Sequence, residues 1–361
     1  MVLERTLVGL DVHARSIVAG VLDVETGELW SLRLPPATEA VLGWVRSLPG
    51  PVAVAYEAGP TGFGLTRALE QVGVRCVVVA PSKLERPPGD RVKTDRRDAE
   101  RLARLLHIGE LPAVRVPTVA EEAARDLVRA REDGRADLMR ARHRLSKLLL
   151  RQGLVFAGAA WTQAHARWLA RVGAELNQPG LRVAVDEAQG AVLAVQARRD
   201  RLDAAIAELA ATPPWALLVA RLTCLRGVGV LTSFGLAVEI GDWQRFTGAT
   251  LGAWLGLVPS EQSSGGRRSQ GSITKTGNTH ARRLLVEAAW HHRKPYRPSQ
   301  QLRTRQDQQP AVVRERADRG NRRLHQRWCR LDARGKRSTI SVVAVARELA
   351  GWCWSLAVLD T

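Results

Sequence analysis

The apolar positions along this chain fall into stretches of different rhythm. Within residues 1–110, short apolar runs alternate with helical spacing. Runs at 7–10, 16–22, 29–34, 52–56 and 74–80 predict strands, and 38–48, 63–72 and 95–106 predict helices. Pro49-Gly50-Pro51, Gly59-Pro60-Thr61-Gly62 and Pro81 punctuate them. Alternation of this kind predicts an α/β layered domain.

Residues 119–212 change character. Leu127, Gly134, Leu138, Ala141, Leu145 and Leu148 recur near heptad spacing with Arg and Glu between them, and Arg131 breaks the stripe. A second long helical pattern covers 181–211, after Pro179-Gly180 and before Pro213-Pro214. Two long charged helices joined by a turn predict an antiparallel hairpin or coiled coil, or equally the core of an ordinary bundle. Either way the region reads as a spacer or oligomerisation arm without chemistry. Beyond it, 215–222 and 231–240 read as helices around the tight turn Leu225-Arg226-Gly227-Val228-Gly229, and a further helix holds His280-Ala281-Arg282-Arg283-Leu284-Leu285. Residues 296–337 are polar and basic, expected to be mobile or to order on nucleic acid. Residues 338–359 return to an apolar helix, with Val342, Val345, Leu349 and Trp352 at helical spacing. The expected division is 1–112 for the α/β domain, 113–212 for the arm, and 213–361 for a mainly helical C-terminal domain.

Charge narrows the partners. The 361 residues are 45% hydrophobic, enough for a sizeable core, yet carry a net charge of +18. From His291 to Arg337 there are 15 Lys and Arg against 4 Asp and Glu. A chain that tolerates this self-repulsion usually meets a polyanion, and arginine forks onto phosphates. Cys76, Cys224, Cys329 and Cys353 are scattered without a CxxC pair, which argues against a zinc site or a disulfide framework. With no signal peptide visible, and the most apolar stretch (349–359) too short to cross a bilayer, a cytoplasmic protein is expected. The eleven tryptophans are read mainly as core.

Four carboxylates stand out in that setting. Asp11 ends the apolar run Leu7-Val8-Gly9-Leu10, and Glu57 ends Val52-Ala53-Val54-Ala55-Tyr56. Asp95 and Asp98, three apart on one helix face, open a helical pattern in Lys93-Thr94-Asp95-Arg96-Arg97-Asp98-Ala99. Acids at strand ends and a helix start that converge would hold hard divalent cations and assist phosphodiester chemistry. His13 beside them reads either as a phosphate contact or as a turn residue without a role, and Lys93 as a phosphate contact or a solvent-facing lysine. A second constellation runs from Gly256-Leu257-Val258-Pro259-Ser260-Glu261-Gln262-Ser263-Ser264-Gly265-Gly266-Arg267-Arg268 to Ile273-Thr274-Lys275-Thr276-Gly277-Asn278. A serine at a Gly-rich turn flanked by cations has the ingredients for attack on a phosphodiester, although composition alone favours a flexible basic loop. The Leu225–Gly229 turn between two helices resembles a helix-hairpin-helix, where backbone N–H groups meet a phosphate; a plain packing turn is the alternative.

Together these segments resemble the DEDD insertion-sequence transposases of the IS110 group. The matching residues are Gly9-Leu10-Asp11-Val12-His13, Tyr56-Glu57-Ala58-Gly59-Pro60-Thr61-Gly62 and Lys93-Thr94-Asp95-Arg96-Arg97-Asp98-Ala99. Further on they are Leu225–Gly229, Gly256–Pro259, Ser264-Gly265, Thr274-Lys275-Thr276-Gly277-Asn278, Arg282-Arg283-Leu284-Leu285 and Val345-Ala346-Arg347-Glu348-Leu349. The resemblance spans residues 6–355, while 297–336 matches nothing recognisable. It implies a RuvC-like N-terminal domain of RNase H fold whose Asp11, Glu57, Asp95 and Asp98 bind Mg²⁺ or Mn²⁺. It also implies a coiled-coil arm and a C-terminal transposase domain whose serine becomes linked to DNA. That serine matches Ser264; Ser263 is the close competitor and Ser260 a weaker one. Arg226, Gly227, Gly229, Arg267, Arg268, Lys275, Asn278 and Arg282 are the expected nucleic-acid contacts.

The resemblance further implies a prokaryotic recombinase working as a homodimer or tetramer on donor and target DNA. A structured bridge RNA would specify both DNAs by base pairing, and domains of different protomers would share a composite site. Competing readings are an endonuclease of Holliday-junction type using metal-activated water, and a non-catalytic nucleic-acid-binding protein.

Overall fold

The five apolar runs of the N-terminal region pair into one sheet. The computed structural model describes residues 4–84, 94–264 and 266–360, with the side chains of Ser82, Ser264 and Arg267 outside that description. The chain divides into two compact units, Met1–Thr118 and Val119–Thr361. In the first, β1 (Thr6–Val12), β2 (Ile17–Asp23) and β3 (Leu29–Leu34) form an antiparallel meander. After α1 (Thr38–Arg46) come β4 (Val52–Glu57), α2 (Gly64–Gln71), β5 (Arg75–Val79) and α3 (Asp95–His107). The sheet order is β3-β2-β1-β4-β5, with β4 parallel to β1 and β5 parallel to β4.

Strand alternation assigns each residue to a face. Val8, Leu10, Val54, Tyr56 and Val78 pack with Val41, Val45 and Leu69 of α1 and α2. Leu7, Ala53, Ala55 and Val79 pack with Leu102 and Leu106 of α3. Asp11 and Glu57 follow Leu10 and Tyr56, which are partners in the parallel register, so both acids stand at the same height on the α3 face. The sequence reading ended the first strand at residue 10. The strand runs on to Val12 because β2 keeps pairing after β4 has left the register, with Asp11 opposite Val18.

What fixes α3 is the absence of side chains beneath it. A Cβ on Gly9 would lie 2.1 Å from the Ala99 carbonyl oxygen, and one on Gly20 would lie 2.5 Å from the Glu100 nitrogen. The helix therefore rests backbone to backbone on β1 and β2, with Ala99 and Ala103 fully buried. The Thr94 hydroxyl caps it by accepting the Arg97 N–H, and Asp95 and Asp98 occupy its first turn, where the helix dipole favours negative charge.

The second unit is largely helical. α4 (Val119–Arg151), α5 (Gln163–Glu175) and α6 (Pro179–Ala210) are followed by α7 (Ala216–Leu222), α8 (Val230–Ile240) and α9 (Gly248–Trp254). A two-stranded hairpin, β6 (Pro259–Ser264) and β7 (Arg267–Ile273), precedes α10 (Thr279–Ala289), α11 (Gln300–Asp307), α12 (Ala311–Asp332) and α13 (Ser338–Ala357). α4 and α6 run antiparallel, tied by Arg131 to Asp203 at 2.6 Å and by Arg142 to Gln196 at 3.4 Å. The Arg131 that interrupts the apolar stripe is thus half of an inter-helix ion pair. α5 was not anticipated; it packs Leu169 and Val172 against Leu145, Leu149 and Val185 of the long pair.

Residues 296–337 correct the expectation of a mobile segment. Helices α11 and α12 occupy it, and α12 buries Val313, Ala317, Gly320, Asn321, Leu324, Trp328 and Leu331. Helix α13 is long and apolar enough to cross a membrane by length and composition, unlike the shorter stretch anticipated. It buries Val342, Val345, Ala346, Leu349 and Cys353 in the core of the second unit.

The glycine contact carries a test. Gly9→Ala forces α3 off the sheet and should cost about 3 kcal/mol in urea denaturation, the upper range for overpacking. Gly43→Ala on α1, where an added Cβ meets nothing within 4 Å, should leave stability unchanged or slightly raised.

Candidate active site

The acids of the first unit converge on the α3 face. Asp11, His13 and Asp95 each offer a ligand atom, and these atoms lie within 4.8 Å of one another. His13 Nε2 is 3.1 Å from an Asp11 carboxylate oxygen. Among the described residues, Glu57 and Asp98 stand outside this trio. Asp98 is still near enough for its charge to act on Asp11, and Glu57 flanks Asp11 on the neighbouring strand. Burial raises the Asp11 carboxyl above its ordinary value; the charges of Asp95 and Asp98 add to that, while His13 pulls the other way. A carboxyl whose proton affinity is raised by burial and by neighbouring carboxylates is relieved by a cation, and two carboxylates with one imidazole suit a divalent ion. The sequence reading grouped Asp11, Glu57, Asp95 and Asp98; the structure brings Asp11 and Asp95 close together, leaves Asp98 in electrostatic range and Glu57 on the neighbouring strand, and adds His13, which that reading left open. Lys93 lies outside the described residues.

The loop after β4 is held by Tyr56, which is fully buried and donates its hydroxyl to the Gly62 carbonyl at 3.3 Å. Gly62, at φ 69°, closes the turn beyond Glu57. This accounts physically for the spacing of Tyr56, Glu57 and Gly62.

In the second unit the serine-bearing segment is a hairpin rather than an irregular loop. Its base is two backbone segments in direct contact. Gly256 (φ 65°) would place a Cβ 2.4 Å from the Thr276 carbonyl oxygen, and Gly277 (φ 70°) one 1.8 Å from that of Trp254. Between them Lys275 is held at φ 56°, a strained conformation for a residue with a side chain. Ser264 ends β6, paired with Arg267 across the turn. The side chains of both, and Gly265 itself, lie outside the described residues. Ser263 donates its hydroxyl to Glu261 at 2.9 Å, and Ser260 to the Ser272 carbonyl at 3.1 Å. Arg268 and Gln270 also donate to Glu261, at 2.8 and 3.3 Å. These bonds, Arg268's first, hold the Glu261 carboxyl below its usual range.

Several expected nucleic-acid contacts have structural partners. Asn278 caps α10 by accepting the Ala281 N–H at 2.9 Å and donates to Glu239 at 2.7 Å. Arg282 donates to the carbonyls of Leu255 and Thr276 at 2.8 and 2.7 Å. Arg226 donates to the carbonyls of Lys294 and Pro295 at 2.9 and 2.8 Å. Only Lys275, among these, has an exposed side chain without a hydrogen bond or ion pair among the described residues; its backbone N–H donates to the Gly256 carbonyl at 3.2 Å.

The Leu225–Gly229 turn is clamped from α12: Asn321, fully buried, accepts the Arg226 N–H at 2.8 Å and donates to the Cys224 carbonyl at 3.1 Å. Gly227 (φ 81°) is required because a Cβ would lie 2.5 Å from the Ala288 carbonyl oxygen. Gly229 caps α8 with no side chain satisfying its first-turn N–H groups. A cavity of about 440 Å³ opens there, lined by Arg226, His291, Arg297, Ser299 and Arg305.

Sequence reasoning missed Glu239. It sits 3% exposed in α8, hydrogen-bonded by Asn278, 3.3 Å from His280 Nδ1 and 3.5 Å from Arg129 Nε. The available signal was a lone acid in the apolar run Leu236-Ala237-Val238-Glu239-Ile240. Burial opposes its ionisation, but the His280 and Asn278 hydrogen bonds and the Arg129 charge outweigh it and lower its pKa to about 2.

A pKa lowered by folding stabilises the protein above the unfolded value and loses that effect as pH falls through the folded one. Glu239 should therefore contribute on the order of 3 kcal/mol at neutral pH, declining from pH 4.5 towards about 2. Denaturant midpoints measured at pH 7 and pH 3 should converge in Glu239→Gln relative to the unmodified chain.

Comparisons with known proteins agree with this geometry. Residues 8–152 match the DEDD transposase family of IS110 type, and residues 219–303 match the transposase family IS116/IS110/IS902. A putative transposase, y4qE, of Sinorhizobium fredii is 42% identical over 310 residues, covering 85% of this chain and 75% of its own. The transposase for insertion sequence element IS1533 of Leptospira borgpetersenii is 30% identical over 343 residues, covering 92% of this chain and 99% of its own. A probable family 20 transposase of Pseudomonas aeruginosa is 31% identical over 260 residues, 69% of this chain and 73% of its own. With both family segments in order and relatives matched over most of their length, the chain belongs to the IS110-type insertion-sequence transposases.

Proposed function

We propose that this transposase cuts and rejoins DNA through a serine–DNA intermediate, assisted by a divalent cation at the acids of its first unit. The observation that carries the reading is the convergence of Asp11 and Asp95, with Asp98 in electrostatic range, at one end of a β3-β2-β1-β4-β5 sheet. That strand order, with an antiparallel meander followed by two parallel strands, supports the RuvC-like, RNase H assignment. Asp11, Asp95, Asp98 and Glu57 are the residues to hold Mg²⁺ or Mn²⁺. Such an ion, when bound, supplies positive charge against the negative charge that develops on a scissile phosphate.

The protein's own part is attack and positioning. Ser264 Oγ bonds to phosphorus while the bond from phosphorus to one deoxyribose oxygen breaks. The serine proton passes to a base or to solvent, and the departing oxygen takes up a proton. Phosphodiester bonds are conserved in number, so rejoining is the reverse step with another strand's hydroxyl and needs no nucleotide cofactor. The close backbone contacts of Gly256 and Gly277 anchor the base of the hairpin that carries the serine, which favours a fixed line of attack.

Nucleic acid is held elsewhere by phosphate contacts. The uncapped α8 N-terminus, with Arg297 and Arg305 beside it, supports the helix-hairpin-helix reading of the Leu225–Gly229 turn. Lys275, Arg267 and Arg268 are the remaining candidate contacts on the hairpin. A structured bridge RNA that pairs with donor and target DNA is the partner implied for this group, and a net charge of +18 suits it. The α4–α6 pair is the arm through which a dimer or tetramer forms.

Trapping on a suicide DNA substrate tests the chemistry. The unmodified protein should form a denaturation-resistant protein–DNA adduct, and Ser264→Ala should form none. Asp11→Asn and Asp95→Asn should each lower the rate of adduct formation by about a hundredfold or more. Cleavage that survives Ser264→Ala without an adduct would assign hydrolysis by water instead.

A further inference from the structure

A cavity of about 420 Å³ in the second unit is lined by Arg316 and Arg327 of α12, by Arg347, Glu348, Trp352 and Trp354 of α13, and by the start of α9. Its charge is unbalanced. Glu348 is the single carboxylate in the lining, and it already accepts from Arg323 at 2.8 Å. Arg327 Nε approaches Glu348 no closer than 3.8 Å and makes no hydrogen bond. Arg316 donates to a neutral partner, the Ser355 hydroxyl, at 3.2 Å and lies over the Trp352 ring. Arg347 is exposed and has no hydrogen bond or ion pair among the described residues. Three lining guanidinium groups thus share the cavity with one carboxylate, which is already engaged by Arg323.

The cavity also holds donors without acceptors. Trp354 Nε1 is buried and unpartnered, as is Arg327 Nε. A buried N–H without an acceptor costs free energy, and convergent cations repel one another, so both features favour an incoming anion with several acceptor oxygens. Gly320 and Gly248 let Trp352 and Trp354 sit close to α12 and α9: Cβ atoms there would lie 2.9 and 3.3 Å from the indole rings. The walls are therefore rigid, and the guanidinium of Arg316 is fixed by stacking.

We propose that this cavity is a phosphodiester-binding site for the backbone of a nucleic-acid partner, with Arg347 and Arg327 gripping the phosphate oxygens and Trp354 Nε1 donating a third bond. None of its lining residues belongs to the acidic cluster, the serine hairpin or the Leu225–Gly229 turn. The proposal rests on the nucleic-acid function above but assigns residues that function did not use. DNA and RNA carry the same phosphodiester, so the test includes both.

The experiment is fluorescence anisotropy on the full chain, with a labelled single-stranded DNA and an RNA of the same sequence, over a range of KCl concentrations. Arg347→Gln should weaken binding of at least one polymer about tenfold at roughly 0.1 M salt. It should also make the slope of log affinity against log salt shallower by about 0.7. Arg347→Lys, keeping the charge, should recover the slope. Trp354→Phe should lower affinity with the slope unchanged. Arg46→Gln, on α1 of the first unit, is the charge-matched control and should stay within about twofold. A loss with DNA alone or RNA alone identifies the source of the phosphate. Variants that bind both polymers as the unmodified protein does would overturn the site while leaving the nucleic-acid function standing. An Arg46→Gln effect equal to that of Arg347→Gln would reduce the result to net charge and overturn it equally. If the unmodified chain bound neither polymer, both the site and the function beneath it would fall.

Discussion

The architecture of the first unit depends on one contact, the backbone-to-backbone seat of α3 on β1 and β2 at Gly9 and Gly20. Any side chain at either glycine would collide with helix backbone rather than with a movable side-chain tip. Because the helix sits that low, its first turn reaches the end of β1, and Asp95 comes within ligand distance of Asp11 and His13. The packing constraint and the chemistry are thus one feature. Asp95 and Asp98 also favour the helix start electrostatically, so the same acids serve folding and function.

The second unit repeats the device. Gly256 and Gly277 bring two chain segments into direct backbone contact under the serine hairpin, and the strained Lys275 is locked between them. From beneath, Glu239 ties the cap of α10 to α4 through Asn278, His280 and Arg129. The hairpin has little apolar burial of its own, since its described side chains are almost all exposed or half-exposed. Its position is set by this base rather than by a core.

What was legible in the sequence follows from burial. Strands β1, β2 and β4 are buried along most of their length, so their apolar runs are continuous and their limits fell within a residue or two. The acids at the ends of two such runs could be placed because a strand end is a geometric position. The β6–β7 hairpin was not legible, because Pro259-Ser260-Glu261-Gln262-Ser263-Ser264 has no apolar face to alternate. Helix α12 was hidden for another reason: its buried stripe includes Ala317, Gly320 and Asn321, small or polar residues dispersed among arginines. Asn321 is buried to hold the Leu225–Gly229 turn, a long-range role that no local pattern announces. Arg131 looked like a break in an apolar stripe and Glu239 went unnoticed within one, yet each is the buried or half-buried half of a cross-helix pair. Isolated charges in such stripes are best read as missing partners.

Anomalous diffraction from crystals soaked in manganese chloride tests the central claim most directly. The account predicts a peak bounded by the carboxylates of Asp11 and Asp95, present in the unmodified protein and lost in Gly9→Ala, where the acids themselves are intact. Manganese bound in Gly9→Ala as in the unmodified protein, or no peak at these carboxylates in either, would contradict it.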